Sequence, residues 1–507
     1  MMSVDKLREK HHINRVAPKE IGLLLSAQSY RPEITQAIQK IKTFKWEYLQ
    51  NLVINLIGPG IHPEYGGQYP CLKTKNVDEL IADLEPADYA DIRKIKNVDK
   101  IQVKHGDLLI NLTGAGSIGR VSVYYGVNLP ITNQHIARMQ IKEGCDEGYI
   151  ASYLRSWWGE RALEQGIAGS TGQINMVNEH VRSIPVILMN SSTQQYIGDK
   201  VRQAERLRSW AKKLRAKVDS EIDKLELPTK TQPAIVNRVN VNLLDERLDP
   251  RPYRTHYVGL VDGIKTIKND QVFSITELAS GCPVSSDDFL QNGEVPLIRI
   301  RNIGFDQFID IDTGVTKEIH DNEKKYQAVE GMVVVGMDGI FRAQFFLHDE
   351  LPMLVNQRVA MLTAKKIRAE LLTHWLNRPE GQMQLNQWAV KTTVEHTSLS
   401  DIGRVRIPRL AEEIENTLAD MLLNARKSYR YARFLTTAAK LLVEAIIEGR
   451  LDETTIVAAQ EQLQSDTTTL DRAILSRLKT DGIDGKGQPL FSDLDELYRL
   501  LALAKEE

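Results

Sequence analysis

Residues 106–112 read GDLLINL, and residues 331–335 repeat this glycine-led apolar pattern as GMVVV. The landmarks that follow the first copy return after the second, a little over two hundred residues later. They are Gly119-Arg120 and Phe341-Arg342, Leu129-Pro130 and Leu351-Pro352, and Asn133-Gln134-His135-Ile136-Ala137 and Asn356-Gln357-Arg358-Val359-Ala360. A pattern that recurs at one offset indicates two copies of one structural unit.

The sequence after each copy is also duplicated. Each copy is followed by a helical stretch, at 149–154 and at 371–376, then by an Ile-Pro step and a long heptad-patterned helix. The Ile-Pro steps are Ile184-Pro185 and Ile407-Pro408. The sequence therefore predicts an α+β protein with two repeated mixed α/β domains and two long helices.

Composition is typical of a folded protein. The chain has 507 residues, 42% of them apolar, with a mean hydropathy of −0.31. No apolar run approaches the length of about 18 residues that a membrane span needs, and the first residues show no signal-peptide core. Cys71, Cys145 and Cys282 form no paired motif, so neither a disulfide framework nor a zinc site is indicated. We expect a cytoplasmic protein with no membrane partner.

Charge is nearly balanced over the whole chain but not locally. A net charge of −2 argues against binding nucleic acid by bulk electrostatics, because phosphate neutralisation requires clustered basic residues. The first long helix is strongly basic, and this face is either simply solvated or lies beside DNA or an acidic partner. Its basic residues are Arg202, Arg206, Arg208, Lys212, Lys213, Arg215 and Lys217.

Heptad-like spacing of apolar residues predicts the two long helices. Ser191-Ser192-Thr193-Gln194 fits a capping box, and the helix that starts there runs for about 35 residues, or about 50 Å. Its apolar seam comprises Ile197, Val201, Ala204, Leu207, Ala211, Leu214, Val218, Ile222 and Leu225. The second seam comprises Ile414, Leu418, Met421, Ala425, Ser428, Ala432, Leu435, Ala439, Leu442 and Ile446.

Two matching seams in one chain indicate an intramolecular antiparallel coiled coil that separates the two domains. The alternative is that each helix packs on its own domain. The predicted order is a first domain, a spacer helix, a linker, a second domain, a second spacer helix that Gly449 ends, and a helical C-terminal extension. Their bounds are 1–190, 191–227, 228–242, 243–410, 411–449 and 450–507.

One segment has the form of a catalytic motif. Gly114-Ala115-Gly116-Ser117-Ile118-Gly119 satisfies G-x-G-x-x-G, but a β-rich run follows at 121–125, where a dinucleotide-binding unit requires a helix. The second copy reads Gly336-Met337-Asp338-Gly339-Ile340-Phe341 and loses the pattern, so a glycine-rich hairpin is the better interpretation. The chain also lacks an Asn/Asp-Pro-Pro-Tyr/Phe tetrapeptide, a P-loop and the H-E-x-x-H and G-x-S-x-G motifs. We expect no catalysis by this chain.

The chemistry that does repeat is polar. Asn and Gln pair with adenine edges and Arg with guanine, so the polar residues around each hairpin are candidates for reading DNA. Alternatively, a repeated Asn-Gln satisfies backbone groups at a bend, and the residues that differ between the copies are then the better candidates. The first-copy candidates are Ser117, Arg120, Asn133, Gln134, His135, Arg138, Ser170, Thr171 and Gln173. The second-copy candidates are Arg342, Asn356, Gln357, Arg358, Lys391, Thr392 and Thr393.

Together these features resemble the specificity (S) subunit of Type I restriction-modification systems. The resemblance spans about residues 20–450 and includes Arg247-Leu248-Asp249-Pro250-Arg251-Pro252-Tyr253, which opens the second half. Residues 26–31, SAQSYR, echo that opening only loosely, and the tail beyond Arg450 is longer than the family pattern requires. The register of the first domain before Asn51 and the role of the tail therefore stay open.

The resemblance implies two target-recognition domains on double-stranded DNA, each reading one half of a split sequence. It also implies that the long helices space the half-sites and bind two methyltransferase (M) subunits, with restriction (R) subunits in the same complex. Methyl transfer and ATP-driven cleavage would then belong to the partners. S-adenosylmethionine, ATP and Mg²⁺ are accordingly expected on partner subunits and no cofactor on this chain.

Two rival functions remain. The chain is either an S-like DNA-recognition adaptor of another phage-defence methyltransferase complex or, from a different class, an enzyme that binds a dinucleotide or S-adenosylmethionine through Gly114–Gly119. Partners captured with the chain would distinguish the adaptor. Cofactor binding by the isolated chain would favour the enzyme.

If the two seams pair, inserting one heptad into both helices at matched levels should preserve their registry. The domains should then separate by about 10 Å, or roughly three base pairs. Selection of bound DNA from a random pool should return unchanged half-sites with a longer gap. An unchanged gap would show that the helices do not set the spacing.

Overall fold

The computed structural model describes residues 16–506 except 56, 94, 96–97, 170–173, 229–233, 235, 242–243, 246, 306 and 392. The chain forms two compact units. One comprises Met1–Leu207 and Tyr431–Glu506, and the other comprises Arg208–Arg430. Both boundaries fall inside the long helices, so each unit contains a globular domain and a segment of each long helix.

The domain of the first unit mixes short helices with small sheets. Its helices are α1 (Pro32–Ile41), α2 (Glu147–Leu154), α3 (Trp157–Glu164) and α4 (Asn178–Arg182). Its strands are β1 (Trp46–Tyr48), β2 (Gly58–Pro59), β3 (Glu64–Leu72), β4 (Asp88–Asp91), β5 (Asp107–Asn111), β6 (Val121–Tyr124), β7 (Ile131–Thr132), β8 (Ile136–Met139), β9 (Ile167–Ala168), β10 (Asn175–Met176) and β11 (Pro185–Ile187). The first long helix, α5 (Ser191–Asp223), follows.

Two sheets organise this domain. One has the order β2-β8-β5-β6, and the other has the order β4-β3-β7, in which β3 and β7 are parallel. All five residues of β5 are buried, which explains the consecutive apolar residues Leu108, Leu109 and Ile110 at its centre. Strands β1 and β11 pair separately and bring the two ends of the domain together.

The second unit contains the helices α6 (Thr255–Lys265), α7 (Val272–Ile275), α8 (Lys317–Asn322), α9 (Ala369–Asn377), α10 (Pro379–Trp388) and α11 (Leu399–Arg404). Its strands are β12 (Asn269–Gln271), β13 (Thr276–Ser280), β14 (Leu290–Gln291), β15 (Val295–Ile298), β16 (Thr313–Val315), β17 (Met332–Gly336), β18 (Ala343–Phe345), β19 (Leu354–Val355), β20 (Val359–Ala364), β21 (Val390–Lys391), β22 (Glu395–His396) and β23 (Arg406–Pro408). The second long helix is α12 (Glu412–Ile447).

The two domains share one topology. The sheet β13-β20-β17-β18 corresponds to β2-β8-β5-β6, and β17 is fully buried, as β5 is. Parallel pairing of β15 with β19 corresponds to that of β3 with β7. The closing pair β12–β23 corresponds to β1–β11. The duplication and the α+β class predicted from the sequence are therefore confirmed.

The long helices bury the predicted seams, with differences at their ends. In the second unit, Val218 and Ile222 pack in one core cluster with Leu418 and Leu422, while Arg215 lies over the ring of Tyr429 at 5.1 Å. Residues nearer the C-terminus of α5 therefore pack against residues nearer the N-terminus of α12, so the two helices are antiparallel within this unit. Two seam residues depart from the prediction: Leu225 lies beyond the end of α5, and Ile414 is 44% exposed because no turn of α5 remains opposite it.

The ends of the long helices have identifiable caps. The side chain of Asn190, one residue before the predicted cap, accepts the backbone N–H of Ser192 at 2.8 Å, and the helix begins at Ser191. The amide of Gln194 does not close a capping box, because it donates to the Met189 carbonyl. At the C-terminal end of the second long helix, α12, Gly449 has a φ of +73°, as expected of a helix-ending glycine.

The C-terminal extension belongs to the first unit. It contains α13 (Glu453–Gln464), α14 (Thr469–Ser476), the hairpin β24 (Leu478–Lys479) and β25 (Gly482–Ile483), and α15 (Leu494–Glu506). It packs on the C-terminal segment of α12, where the hydroxyl of Tyr431 donates to the Asp493 carbonyl and Phe434 meets Phe491 edge to face.

A buried polar cluster fixes the extension to α5. Asp471 is 1% exposed and accepts hydrogen bonds from Lys200 Nζ at 2.6 Å and from the Tyr196 hydroxyl at 2.5 Å, with a further bond from the Tyr498 hydroxyl. Burial opposes ionisation of Asp471. The Lys200 ammonium and the hydroxyl donors outweigh that effect and hold the pKa of Asp471 below its usual range.

Replacing Asp471 should therefore be costly. Asp471→Ala leaves the Lys200 ammonium buried without its carboxylate and should destabilise the first unit by about 3–5 kcal/mol in urea unfolding. Because the folded pKa is depressed, the wild-type contribution should persist above the ordinary carboxyl pKa of about 3.9 and disappear as the pH falls below it.

The matched control is Asp495→Ala, which removes an exposed carboxylate paired with Arg472 on the same extension. It should cost at most about 1 kcal/mol. Equal losses in the two variants would contradict the assigned role of the buried cluster.

Candidate nucleic-acid interface

The repeated asparagine ends a short parallel strand in each domain. In the first domain, Asn133 follows β7, and its backbone N–H donates to the Leu72 carbonyl at 3.2 Å. Its side-chain Oδ1 accepts the backbone N–H of His135 at 3.1 Å, and its carbonyl accepts the N–H of Ile136 at 3.3 Å. Asn133 therefore closes the bend between β7 and β8.

Asn356 does the same in the second domain. Its N–H donates to the Ile298 carbonyl at 2.9 Å, and its Oδ1 accepts the N–H of Arg358 at 3.5 Å. Its carbonyl accepts the N–H of Val359 at 2.9 Å. Both asparagines are buried, so the structure favours the bend-closing interpretation for this pair.

The first residue after each asparagine is Gln in both domains, but its exposure and the residue that follows it differ. Gln134 and His135 are partly buried, and their side chains bond to each other at 3.0 Å. The amide oxygen of Gln134 is buried and has no hydrogen-bond partner within the described part of the chain. Gln357 and Arg358 are exposed instead, with Arg358 Nε 3.9 Å from an Asp338 carboxylate oxygen. The same backbone bend thus presents different polar groups.

The Arg138 side chain pairs with a buried carboxylate. Its Nη1 donates to the buried Asp107 carboxylate at 2.8 Å across strands β5 and β8. Burial raises the pKa of Asp107, which the Lys104 backbone N–H and the Arg138 guanidinium oppose. This ion pair joins strands β5 and β8, and a DNA contact by Arg138 stays a prediction.

The glycine-rich segment is a hairpin, as predicted. Backbone bonds from Gly119 N–H to the Asn111 carbonyl and from Asn111 N–H to the Arg120 carbonyl join β5 to β6. The Ser117 hydroxyl donates weakly to the Thr113 carbonyl at 3.4 Å, and Arg120 pairs with Asp78. The segment leads into a strand, so it lacks the helix that a dinucleotide site places against the pyrophosphate.

Arg342 occupies the position in the second hairpin that Arg120 occupies in the first. The Arg342 carbonyl accepts a hydrogen bond from the N–H of Gly336, just as the Arg120 carbonyl accepts one from the N–H of Asn111. Its guanidinium lies 5.0 Å from the centre of the Phe305 ring, whereas Arg120 pairs with an acid. The arginine is duplicated, but its surroundings are not.

The remaining candidates lie in the loops after the helices. Ser170, Thr171, Gln173 and Thr392 fall outside the described residues, as does the side chain of Lys391. The backbone of Lys391 pairs with Glu395 in the β21–β22 hairpin, and Thr393 at its tip is exposed. Whether these residues read bases stays a prediction.

Sequence reasoning missed a second duplicated turn. Residues 72–77 read LKTKNV and residues 298–303 read IRIRNI, an apolar-basic-x-basic-Asn-apolar pattern in both halves. The side chain of the buried Asn76 accepts the N–H of Lys73 at 2.9 Å and donates to the Asp83 carbonyl. Asn302 likewise accepts the N–H of Arg299 at 3.0 Å and donates to the Ile309 carbonyl. Comparing the two halves over these six residues would have found it.

The basic turn and the Asn133 or Asn356 bend are adjacent in each domain. The carbonyls of Leu72 and Ile298 accept hydrogen bonds from the backbone N–H groups of the bend asparagines. Each of these two residues directly precedes the first basic residue of its turn. The strands β3 and β7, and β15 and β19, are parallel, so both turns leave the same edge of the sheet. We call this edge the polar edge: Lys73, Lys75 and 133–135 in the first domain, and Arg299, Arg301 and 356–358 in the second.

The chemistry of the polar edge consists of amides, ammonium groups, guanidinium groups and imidazole. These groups suit hydrogen bonding to base edges and phosphates. Within the described ranges, no group of His, Cys, Asp and Glu is arranged to hold a metal ion. The same residues include no helix that combines the length and apolarity needed to span a membrane.

Fold and polar edge together define a protein with two copies of one mixed α/β domain and two long helices. No family model matches the chain. No curated protein matches it either. Among solved structures, the chain is similar to the S subunit of a Type I restriction-modification system from M. genitalium, with 14% identity, a TM-score of 0.42, and coverage of 81% of this chain and 96% of that one.

Two further solved structures are similar to this chain. One is the HsdS subunit from Thermoanaerobacter tengcongensis, with 11% identity, a TM-score of 0.28, and coverage of 80% of this chain and 97% of that one. The other is a chain from a structure of type I R-M complex assembly, with 12% identity, a TM-score of 0.28, and coverage of 80% and 98%.

The two bend asparagines should matter for stability. Asn133→Ala and Asn356→Ala each remove the acceptor of a backbone N–H and should destabilise their own unit by about 1–3 kcal/mol in urea unfolding. Gln357→Ala, at the exposed neighbouring position, is the control and should change stability by at most about 0.5 kcal/mol. Asparagine variants as stable as this control would show that the bend does not need the side chain.

Proposed function

We propose that this chain is the DNA-specificity subunit of a Type I restriction-modification complex. The observation that carries the proposal is the duplicated polar edge, in which one backbone framework holds different polar side chains in each domain. A protein that reads two unrelated short sequences needs such an arrangement, because base contacts specify a sequence while a common scaffold positions them.

Under this proposal each domain reads one half of a bipartite target. The pair Gln134 and His135 in the first domain and the pair Gln357 and Arg358 in the second are the nearest candidates for base contacts. Gln, which both pairs contain, suits adenine, whereas Arg358 suits guanine and His135 stands in its place in the first domain, so the second position of each pair is where base preference would differ. The residues of 170–173 and 391–393 join them as candidates from the sequence.

The proposed partners are double-stranded DNA, two methyltransferase subunits and restriction subunits. The chain itself would be non-catalytic and would position the methyltransferases on the target. S-adenosylmethionine, ATP and Mg²⁺ would then be held by the partners. The long helices, which are present in both units, are the natural surface for subunits that must work with both domains.

The adaptor alternative shares the DNA-reading role and differs in its partners. Capture of methyltransferase subunits without a restriction subunit would favour it. The cofactor-binding alternative depends on Gly114–Gly119, which here turns directly into strand β6. S-adenosylmethionine or NAD binding by the isolated chain would revive that alternative.

A domain exchange tests the proposal. Residues 245–410 are replaced by the second domain of another S subunit, and the host genome is analysed by methylation-sensitive sequencing with the wild-type gene, the exchanged gene and no gene. We expect methylation that depends on the gene, and a target in which the exchange alters one half alone. Changes in both halves would show a single composite reader, and no gene-dependent methylation would contradict the proposed function.

A further inference from the structure

The basic pair of each polar edge is duplicated in position as well as in sequence. Lys73 and Lys75 in the first domain correspond to Arg299 and Arg301 in the second, two residues apart in both. Their side chains are 31% and 48% exposed, and 26% and 52% exposed, respectively. Both domains thus carry two accessible cations beside the Asn133 or Asn356 bend.

Each pair shares one carboxylate. Lys73 and Lys75 bond to the two oxygens of Asp88 at 3.1 and 2.8 Å. Arg301 pairs with Asp312, Arg299 Nη2 lies 3.9 Å from the same carboxylate, and Arg299 also donates to the Thr313 hydroxyl at 2.8 Å. Two positive charges thus face one negative charge in each cluster, which leaves a net charge of one.

An aromatic ring supports the first cation of each pair. Lys73 Nζ lies 4.0 Å from the centre of the Tyr65 ring, and the Arg299 guanidinium lies 5.4 Å from the centre of the Phe289 ring. A ring on one side and a carboxylate on the other hold the charged group in one place at the surface. The two clusters are therefore ordered in the same way although their sequences differ.

Folding does not explain these clusters. The turn is closed by the buried Asn76 or Asn302, which satisfies the backbone without the basic side chains. Exposed ion pairs contribute at most about 1 kcal/mol to stability, which gives a weak structural reason for two such clusters. A shared ligand is the stronger reason.

The ligand must be common to both domains. Groups that read bases should differ between two domains with different half-sites, as His135 and Arg358 do at the second position after the bend asparagine. DNA phosphates are the same at every sequence, and the residues that contact them carry no sequence information. Phosphate contact therefore fits the part of the polar edge that both domains share.

We propose that Lys73 and Lys75, and Arg299 and Arg301, bind backbone phosphates of duplex DNA and so align each domain on its half-site. The inference rests on the proposed function and adds the residues that position the reader. Arginine offers a planar fork to a phosphate and lysine a point charge, so the second domain should hold its phosphates with the tighter geometry.

The test measures the salt dependence of DNA binding. The full chain, with any subunits that copurify, is titrated with a long random-sequence DNA duplex over a series of salt concentrations. Lys73→Gln/Lys75→Gln and Arg299→Gln/Arg301→Gln should each make the plot of log affinity against log salt shallower by about 0.9 for every phosphate that the variant no longer neutralises. Affinity for a selected target and for the random duplex should fall by the same factor.

Two controls accompany the glutamine variants. Lys365→Gln/Lys366→Gln removes two exposed charges at the far end of strand β20 and should leave the slope unchanged. Lys73→Arg/Lys75→Arg keeps the charge and should retain the wild-type slope. Thermal unfolding verifies that every variant is folded.

The outcomes separate the two proposals. Folded glutamine variants with the wild-type slope, or with a weaker affinity at one target sequence only, would overturn phosphate binding and leave the proposed function standing. A wild-type protein that binds no DNA duplex even at low salt would contradict the proposed function itself.

Discussion

One backbone hydrogen bond in each domain, from the bend asparagine to the carbonyl before the basic turn, joins two loops that are far apart in sequence. Asn133 bonds to Leu72, and Asn356 bonds to Ile298. The bond depends on parallel pairing of two short strands, which brings both loops to one edge of a sheet. Without that pairing the basic residues and the divergent polar residues would not share a surface.

The polar edge combines buried groups that hold its backbone with more accessible side chains. The buried asparagines at 76, 133, 302 and 356 bond to backbone atoms and keep the geometry the same in both domains. The neighbouring side chains at 135 and 358 do not close the bends and differ between the domains. Under the proposed function, this separation lets one scaffold serve two recognition tasks.

The extension breaks the symmetry of the repeat. Its buried Asp471, bound by Lys200 and two tyrosines, attaches an additional helical layer to the first unit. Burying a charged pair is costly unless every polar group is satisfied, so the attachment specifies one arrangement. Sequence inspection assigned no chemistry to these residues because Lys200 and Asp471 are far apart along the chain and ordinary by themselves.

The sequence by itself determined the elements: apolar runs predicted the buried strands β5 and β17, heptad spacing predicted the long helices, and the loss of glycines in the second copy predicted a hairpin. These features are local, so a periodic pattern is sufficient to find them. Only the tertiary structure decided which side chains contact one another within the chain. The sequence did not indicate that Arg138 pairs with the buried Asp107. Ile414, predicted as a seam residue, is exposed. The basic turns were found only because strand pairing places them beside the asparagine bends. The reason is physical: a side chain's role depends on which distant residue the fold brings within bonding distance, and periodicity along the chain does not carry that information.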